Sequence, residues 1–199
     1  MNLYKINQHE DFPKIIETVV EIPKGISTKY EYDERGFFRY DRSLVSAMVY
    51  PSSYGFIPRT LADDGDALDV LIYNRIPIDR GTVVECSVVG ILDMEDEDSN
   101  GNMNKDYKVL AVPTSHVRDY QSLSDIDPHF LKICKNFFAH YKDLNNQKVK
   151  VFDWHEKDFA WDIINKSYKL DLKDIPENYP DDLFEEILSA QNYKTTWKL

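Results

Sequence analysis

Short apolar segments separated by turn residues fill the first 115 residues, and this pattern most limits what the chain can fold into. The segments are rich in Val, Ile, Tyr and Phe, and Gly, Pro and Asp residues lie between them. Short runs of this composition with regular turn signals are typical of a sandwich or barrel. The predicted strands are Ile15–Ile22, Lys29–Asp33, Phe37–Arg42, Ala67–Ile72, Val83–Leu92 and Tyr107–Val112.

The second and third predicted strands are joined by Glu34-Arg35-Gly36, and this spacing predicts a β-hairpin. Side chains alternate between the two faces of a strand. The first strand of the hairpin is therefore expected to have a charged face with Lys29, Glu31 and Asp33, and a phenolic face with Tyr30 and Tyr32.

From Asp127 onward the spacing of apolar residues lengthens to three and four, which indicates an amphipathic helix with Asp127 as N-cap and Pro128 in its first turn. Its apolar stripe is Phe130, Ile133, Cys134, Phe137, Phe138 and Tyr141. Further helices are predicted at Glu156–Lys169 and Pro180–Gln191. We expect one domain over residues 1–199, with a core at about 15–151 and a C-terminal helical extension at about 155–199.

Net charge and composition exclude several classes of function. The chain has 24 Lys and Arg against 35 Asp and Glu, a formal charge of −11. This excess repels phosphate backbones and anionic headgroups, so neither nucleic acid nor a membrane surface is an expected partner. Cys86 and Cys134 lack the spacing of a zinc site or disulfide framework. No apolar run approaches a membrane span or a signal peptide, which predicts a cytoplasmic protein.

The segment Asp63-Asp64-Gly65-Asp66-Ala67-Leu68-Asp69 places four carboxylates within seven residues, directly before an apolar strand. Carboxylates this close repel one another unless cations neutralise them. Oxygen ligands are what Mg²⁺ and Mn²⁺ prefer. A solvated acidic turn explains the segment equally well from composition alone.

A second acidic stretch runs from Asp93 to Asp106 between two predicted strands. Asp96, Asp98, Asn100 and Gly101 match the first positions of a calcium-binding loop. The match ends there, because Tyr107 stands where a bidentate Glu is required and strands rather than helices flank the segment. A mobile acidic hairpin is the simpler interpretation.

Basic and phenolic residues complement these carboxylates, although each of them alone is more often a surface charge or a core ring. Candidates for binding an anion are Lys29, Arg42, Tyr54, Lys108, Tyr141 and Lys142.

The chain resembles the soluble inorganic pyrophosphatases of the first family over roughly residues 18–151. The motifs that carry the resemblance, in family order, are Glu21-Ile22-Pro23, Lys29-Tyr30-Glu31, Asp41-Arg42, Tyr50-Pro51 with Tyr54-Gly55, Asp64-Gly65-Asp66-Ala67-Leu68-Asp69-Val70-Leu71, Val89-Gly90-Ile91-Leu92, Ala111-Val112-Pro113 and His140-Tyr141-Lys142-Asp143. The D-x-D-x-x-D signature is specific in itself. The resemblance implies a mainly β fold with a five-stranded OB-like closed barrel flanked by helices.

The resemblance also implies Mg²⁺-dependent hydrolysis of inorganic diphosphate to two orthophosphates, with several ions per site and Mn²⁺ as a possible substitute. The resemblance implies that Asp66 is the general base. The metal ligands it implies are Asp64, Asp69, Asp106, Asp96, Glu21 and Glu31. It assigns substrate binding to Lys29, Arg42, Tyr54, Lys108, Tyr141 and Lys142. Relatives of this kind are commonly hexamers, so a homo-oligomer is expected, with a dimer or trimer as alternatives.

Two other functions would use the same residues: binding of nucleic acid and binding of a metal without hydrolysis. An OB-type module could bind nucleic acid through a basic groove and stacked aromatic rings, but the acidic segments oppose this. A module of this kind could instead bind divalent metal, calcium included, without hydrolysis. That alternative leaves Lys29, Arg42, Tyr54 and Tyr141 without a role.

Overall fold

The computed structural model describes residues 2–33, 35–62, 65–97 and 100–169. The strands are β1 Ile15–Ile22, β2 Thr28–Tyr32, β3 Phe38–Ser43, β4 Ser53–Phe56, β5 Asp69–Ile72, β6 Val83–Glu97, β7 Met103–Lys105, β8 Lys108–Pro113 and β9 Val149–Glu156. The helices are α1 Pro128–His140 and α2 Lys157–Ser167, with 3-10 turns at Leu3–Lys5, Thr114–His116, Leu123–Asp125 and Asp143–Asn145. The predicted helix Pro180–Gln191 lies outside the described residues.

Five strands close into a ring. In order around it, β1 pairs with β4, β4 with β5, β5 with β8, β8 with β6, and β6 with β1. All of these pairs are antiparallel except β5 with β8. The long strand β6 also pairs with β7 and β9. The predicted fold class, mainly β with a five-stranded OB-like closed core flanked by helices, is confirmed.

Strands β5 and β8 are nearly continuous apolar runs because both of their faces are buried. Alternate residues of β5 and β8 enter different clusters. Leu71 and Leu110 pack in the cluster that includes residues of α1, whereas Val70 and Val109 pack in the one that includes residues of α2. Cys86 and Cys134 are buried free thiols within these clusters.

Helix α1 begins as predicted. The Asp127 side chain accepts a hydrogen bond from the His129 N–H, and Pro128 occupies the first turn. Four of the predicted stripe residues are buried, but Ile133 is 42% exposed, so the prediction for that residue is wrong. Ile133 lies beside the stripe that faces the sheet.

The structure adds strands that the apolar pattern misses. Strand β4 has only four residues and contains Gly55, whereas β7 has three residues and, like β9, contains no fully buried residue. The acidic stretch between Asp93 and Asp106 largely continues β6 and returns as β7. Among the described helices, none is long and apolar enough to cross a membrane.

The hairpin β2–β3 forms a two-stranded sheet of its own. Its turn is predicted correctly: the Gly36 N–H donates to the Asp33 carbonyl, and Gly36 has a φ of 85°. A bulge between Lys29 and Tyr30 shifts the register against β3. Lys29 pairs with Arg42 and Tyr30 with Tyr40, so the extra residue is Asp41 of β3.

Candidate active site

A cavity of about 280 Å³ lies where several elements meet. Strands β1, β4, β5, β6 and β8 contribute residues to it, and the hairpin β2–β3 and the segment after α1 complete its wall. All twelve predicted site residues that the structure describes line this cavity. They are Glu21, Lys29, Glu31, Arg42, Tyr54, Asp66, Asp69, Asp96, Asp106, Lys108, Tyr141 and Lys142. The remaining predicted ligand, Asp64, lies outside the described residues.

Lys108 is the most deeply buried cation of the cavity, with 3% of its surface exposed. The parallel pairing of β5 with β8 places Asp69 opposite Lys108, because both residues begin their strands. The Lys108 Nζ donates to Asp69 Oδ2 and to Asp106 Oδ1. Burial opposes its charge, but Asp106 and Asp69 together raise the pKa of Lys108 above its usual value. Lys108 therefore stays protonated between two carboxylates.

Asp106 and Glu21 are carboxylates that burial makes costly to ionise. Burial raises the pKa of Asp106 to about 6, although Lys108 opposes this effect. Burial also raises the pKa of Glu21 to about 8, against the lowering effect of the hydrogen bond from the Tyr32 N–H. That hydrogen bond reaches Glu21 Oε1 at 2.6 Å and joins β1 to β2.

A second ion pair lies between β6 and the segment after α1. Lys142 Nζ donates to Asp96 Oδ2, and the Tyr141 hydroxyl donates to the same oxygen at 3.4 Å. The other oxygen, Asp96 Oδ1, is buried and has no hydrogen-bond partner among the described residues. Such an oxygen is costly unless a cation or water meets it. Asp96 lies in β6, beyond the predicted end of that strand at Leu92.

The hairpin brings a third group of charges. Lys29 Nζ lies 2.5 Å from Glu31 Oε1 and 3.5 Å from Asp41 Oδ2. Arg42 Nη1 lies 2.6 Å from Asp41 Oδ2. Every basic residue predicted to bind substrate is thus paired with a carboxylate.

Burial raises the pKa values of Tyr54 and Tyr141, and the carboxylates Asp69 and Asp96, respectively, add to the effect. Both phenols stay neutral at physiological pH. A neutral phenol can donate its hydroxyl proton to an anionic oxygen.

Six cavity residues were not predicted: Tyr4, Tyr32, Tyr50, Phe56, Ala67 and Phe138. Strand alternation places Tyr32 away from the charged face, yet it lines the cavity together with Lys29 and Glu31. Tyr50 belongs to the motif Tyr50-Pro51 that supports the family resemblance, so the sequence contained a signal for its place in the cavity. Tyr4 comes from the N-terminal 3-10 turn, and nothing in its local sequence indicates the contact.

The donor set of the cavity fits a hard divalent cation. Six carboxylates line it against three lysines and one arginine, and Asp96 Oδ1 has no described partner. Oxygen-only donors of this kind suit Mg²⁺ or Mn²⁺. Within the described residues, no three His, Cys, Asp or Glu side chains already form a metal cage. Lys108 and Lys142 lie among the carboxylates instead.

A closed five-stranded ring with a cavity of interleaved carboxylates and cations suits a site that binds an anionic substrate together with divalent cations. Residues 18–170 match the family model of inorganic pyrophosphatase. The inorganic pyrophosphatase of Campylobacter jejuni is 42% identical over 175 residues, which cover 85% of this chain and 98% of that protein. The one from Halalkalibacterium halodurans is 43% identical over 159 residues, which cover 78% of this chain and 94% of that protein.

Solved structures agree with these sequence matches. The crystal structure of inorganic pyrophosphatase from Thermus thermophilus superposes with a TM-score of 0.78 at 36% identity, covering 84% of this chain and 97% of that one. This chain belongs to the inorganic pyrophosphatase family. The predictions of this family and of an enzyme are therefore confirmed.

Proposed function

We propose that this chain hydrolyses inorganic diphosphate to two orthophosphates with Mg²⁺ as cofactor, several ions per site, and Mn²⁺ as a possible substitute. One observation carries the proposal: the twelve predicted residues come from distant parts of the sequence and line one cavity. Membership of the inorganic pyrophosphatase family supports the same substrate.

The carboxylates would hold the metal. Asp69 and Asp106 lie together around Lys108 and, with Asp64, form the proposed tight site. Asp69 is proposed to bridge to a second ion, Asp96 to hold a substrate-borne ion, and Glu21 and Glu31 to act as outer ligands. These residues would hold Mg²⁺, which would supply shielding of phosphate charge and a lowered pKa of a coordinated water.

Asp66 is the proposed general base. It lines the cavity close in sequence to Asp69 and can accept a proton without being a primary ligand. The water oxygen forms a bond to one phosphorus while the bridging P–O bond breaks. The water's proton passes to an Asp66 carboxylate oxygen, and the second phosphate leaves with the bond's electron pair.

Lys29, Arg42, Lys108, Lys142, Tyr54 and Tyr141 are proposed to hold the phosphate oxygens. The planar guanidinium of Arg42 can donate two hydrogen bonds to one phosphate, whereas the lysines act as point charges. Each basic residue would exchange its present carboxylate partner for a phosphate oxygen. Stabilising charge on the leaving group is the main catalytic task in phosphoryl transfer.

The test is phosphate release from diphosphate with Mg²⁺ and with EDTA. We expect release only with Mg²⁺, and its loss in Asp66→Asn. Asp153→Asn is the matched control, because the Asp153 side chain is 86% exposed. Magnesium binding by calorimetry without any release would favour the alternative of a metal-binding module. No metal-dependent release from the folded chain would refute the enzymatic proposal.

We also propose that the chain forms a homo-oligomer, with a hexamer favoured over a dimer or trimer, and that it works in the cytoplasm. Membership of the inorganic pyrophosphatase family supports association. Light scattering on the full chain and on a chain truncated after Lys169 measures the assembly and tests the extension. A monomeric full chain would refute this proposal.

A further inference from the structure

The hairpin β2–β3 carries Lys29, Glu31 and Arg42 but lies outside the seven-stranded sheet. No ladder of backbone hydrogen bonds joins it to the ring in the described pairings. An isolated two-stranded hairpin is at best marginally stable in water. Other contacts must therefore determine where its charged side chains point.

Two of these contacts start at the same residue of β1. The Glu21 carboxylate accepts the Tyr32 N–H at 2.6 Å, and the Glu21 carbonyl accepts the Arg80 Nε–H at 2.9 Å. Arg80 comes from the loop between β5 and β6. Its guanidinium carbon lies 3.1 Å from the centre of the Tyr30 ring. Arg80 thus joins β1 to the middle of β2.

The position of Tyr30 in β2 explains how its contact with Arg80 can orient Lys29 and Glu31. Tyr30 lies between Lys29 and Glu31 in the chain and pairs with Tyr40, next to the extra residue Asp41 of β3. Its ring also packs edge-on against Tyr40 of β3, with centroids 6.3 Å apart. Holding the Tyr30 ring on one side of the hairpin therefore orients the residues before and after it towards the cavity.

We propose that Arg80 is a positioning residue for diphosphate binding: its contacts with Glu21 and Tyr30 hold β2 so that Lys29 and Glu31 face the cavity. The proposal rests on the proposed function. Arg80 does not itself line the cavity. Only arginine supplies both the flat cation that covers an aromatic ring and the Nε–H that reaches the carbonyl.

Arg80→Met and Arg80→Lys test the proposal, with Arg75→Met as control. Arg75 is an exposed arginine of the same loop, so its loss removes the same charge. Hydrogen exchange of the metal-free protein is measured first. We expect exchange at Thr28–Tyr32 to rise about tenfold in both Arg80 variants, while exchange at Asp69–Ile72 stays unchanged. Arg75→Met should leave both segments as in the wild type.

Kinetics test the consequence for the substrate. In both Arg80 variants we expect KM for diphosphate to rise about tenfold, the effect of losing one cation–π contact and one charged hydrogen bond, with kcat altered less. Arg75→Met should keep the wild-type KM. A wild-type KM in Arg80→Lys would mean that charge rather than orientation matters, and would overturn the proposal.

Combining Arg80→Met with Tyr30→Leu provides a further test. Because both changes remove the same contact, the double variant should lose no more than the worse single variant. Losses that add, or unchanged exchange at Thr28–Tyr32, would overturn the proposal. The exchange measurement does not need turnover, so failure of the proposed function and failure of this positioning role are distinguishable.

Discussion

Replacing Lys108 by Met should destabilise the metal-free protein strongly. Lys108 is 3% exposed and its ammonium contacts Asp69 and Asp106, whose side chains are only 26% and 13% exposed. Removing one partner of a buried ion pair leaves an uncompensated charge and costs about 3–5 kcal/mol. Methionine keeps most of the packing, so we take about 3 kcal/mol. For a chain of this size that corresponds to a fall in Tm of ~6–12 °C.

Magnesium should reverse much of this loss. In the wild type a cation binding to Asp69 and Asp106 must displace the Lys108 ammonium, whereas in Lys108→Met both carboxylates are already unpaired. A ligand at 100 times its Kd stabilises the folded state by about 2.7 kcal/mol. We therefore expect Mg²⁺ to raise the Tm of Lys108→Met more than that of the wild type.

The assay is thermal unfolding in EDTA and across a Mg²⁺ titration. Lys105→Met is the control, because Lys105 pairs with Asp93 at 2.9 Å while 37% of its side chain is exposed. An exposed pair is worth about 0–1 kcal/mol, so this variant should melt near the wild type and respond to Mg²⁺ in the same way. A metal-free Lys108→Met that melts within about 2 °C of the wild type, or equal responses to Mg²⁺, would refute the reasoning.

Three further outcomes are expected. Asp66→Asn should lower kcat by about 10²–10⁴ while calorimetric Mg²⁺ binding persists. Near-normal turnover would show that Asp66 is not the general base. Lys142→Met should raise KM for diphosphate by about 10–100-fold, whereas Lys148→Met, at a side chain 79% exposed, should not; equal effects would contradict a direct phosphate contact. Gly55→Ala should cost about 3 kcal/mol or more in chemical denaturation, because its Cβ would lie 1.8 Å from the Val19 carbonyl oxygen; unchanged stability would contradict the close packing of β1 on β4.

The local pattern of the sequence predicted those elements whose signal lies within one segment. Strand β1 has the predicted bounds, and α1 begins at the expected Asp127-Pro128 cap. Strand β9 escaped prediction because only half of its residues are apolar, none of them is fully buried, and its stability depends on pairing with β6. The prediction that Ile133 is part of the buried stripe of α1 was wrong, because periodicity gives the direction of an apolar stripe but not its width.

The site residues show a similar division. The carboxylate signature and the basic complement were visible in the sequence, and the family resemblance selected among them. The pairing of Lys108 with Asp69 was not visible, since it depends on the parallel register of β5 and β8. Tyr4 reaches the cavity by packing its ring at a tilt against Phe56, with ring centroids 4.5 Å apart, a contact between residues far apart in the chain.

The sequence by itself determined the family, the mainly β fold and the residue types of the site, because hydrophobic period, turn residues and motif spacing are local properties. The tertiary structure alone decided which charges meet. It brought each predicted cation onto a carboxylate and attached the hairpin β2–β3 to the ring through Glu21 and Arg80. The physical reason is that electrostatic and stacking energies depend on distances between residues remote in sequence, which only the closure of the ring establishes.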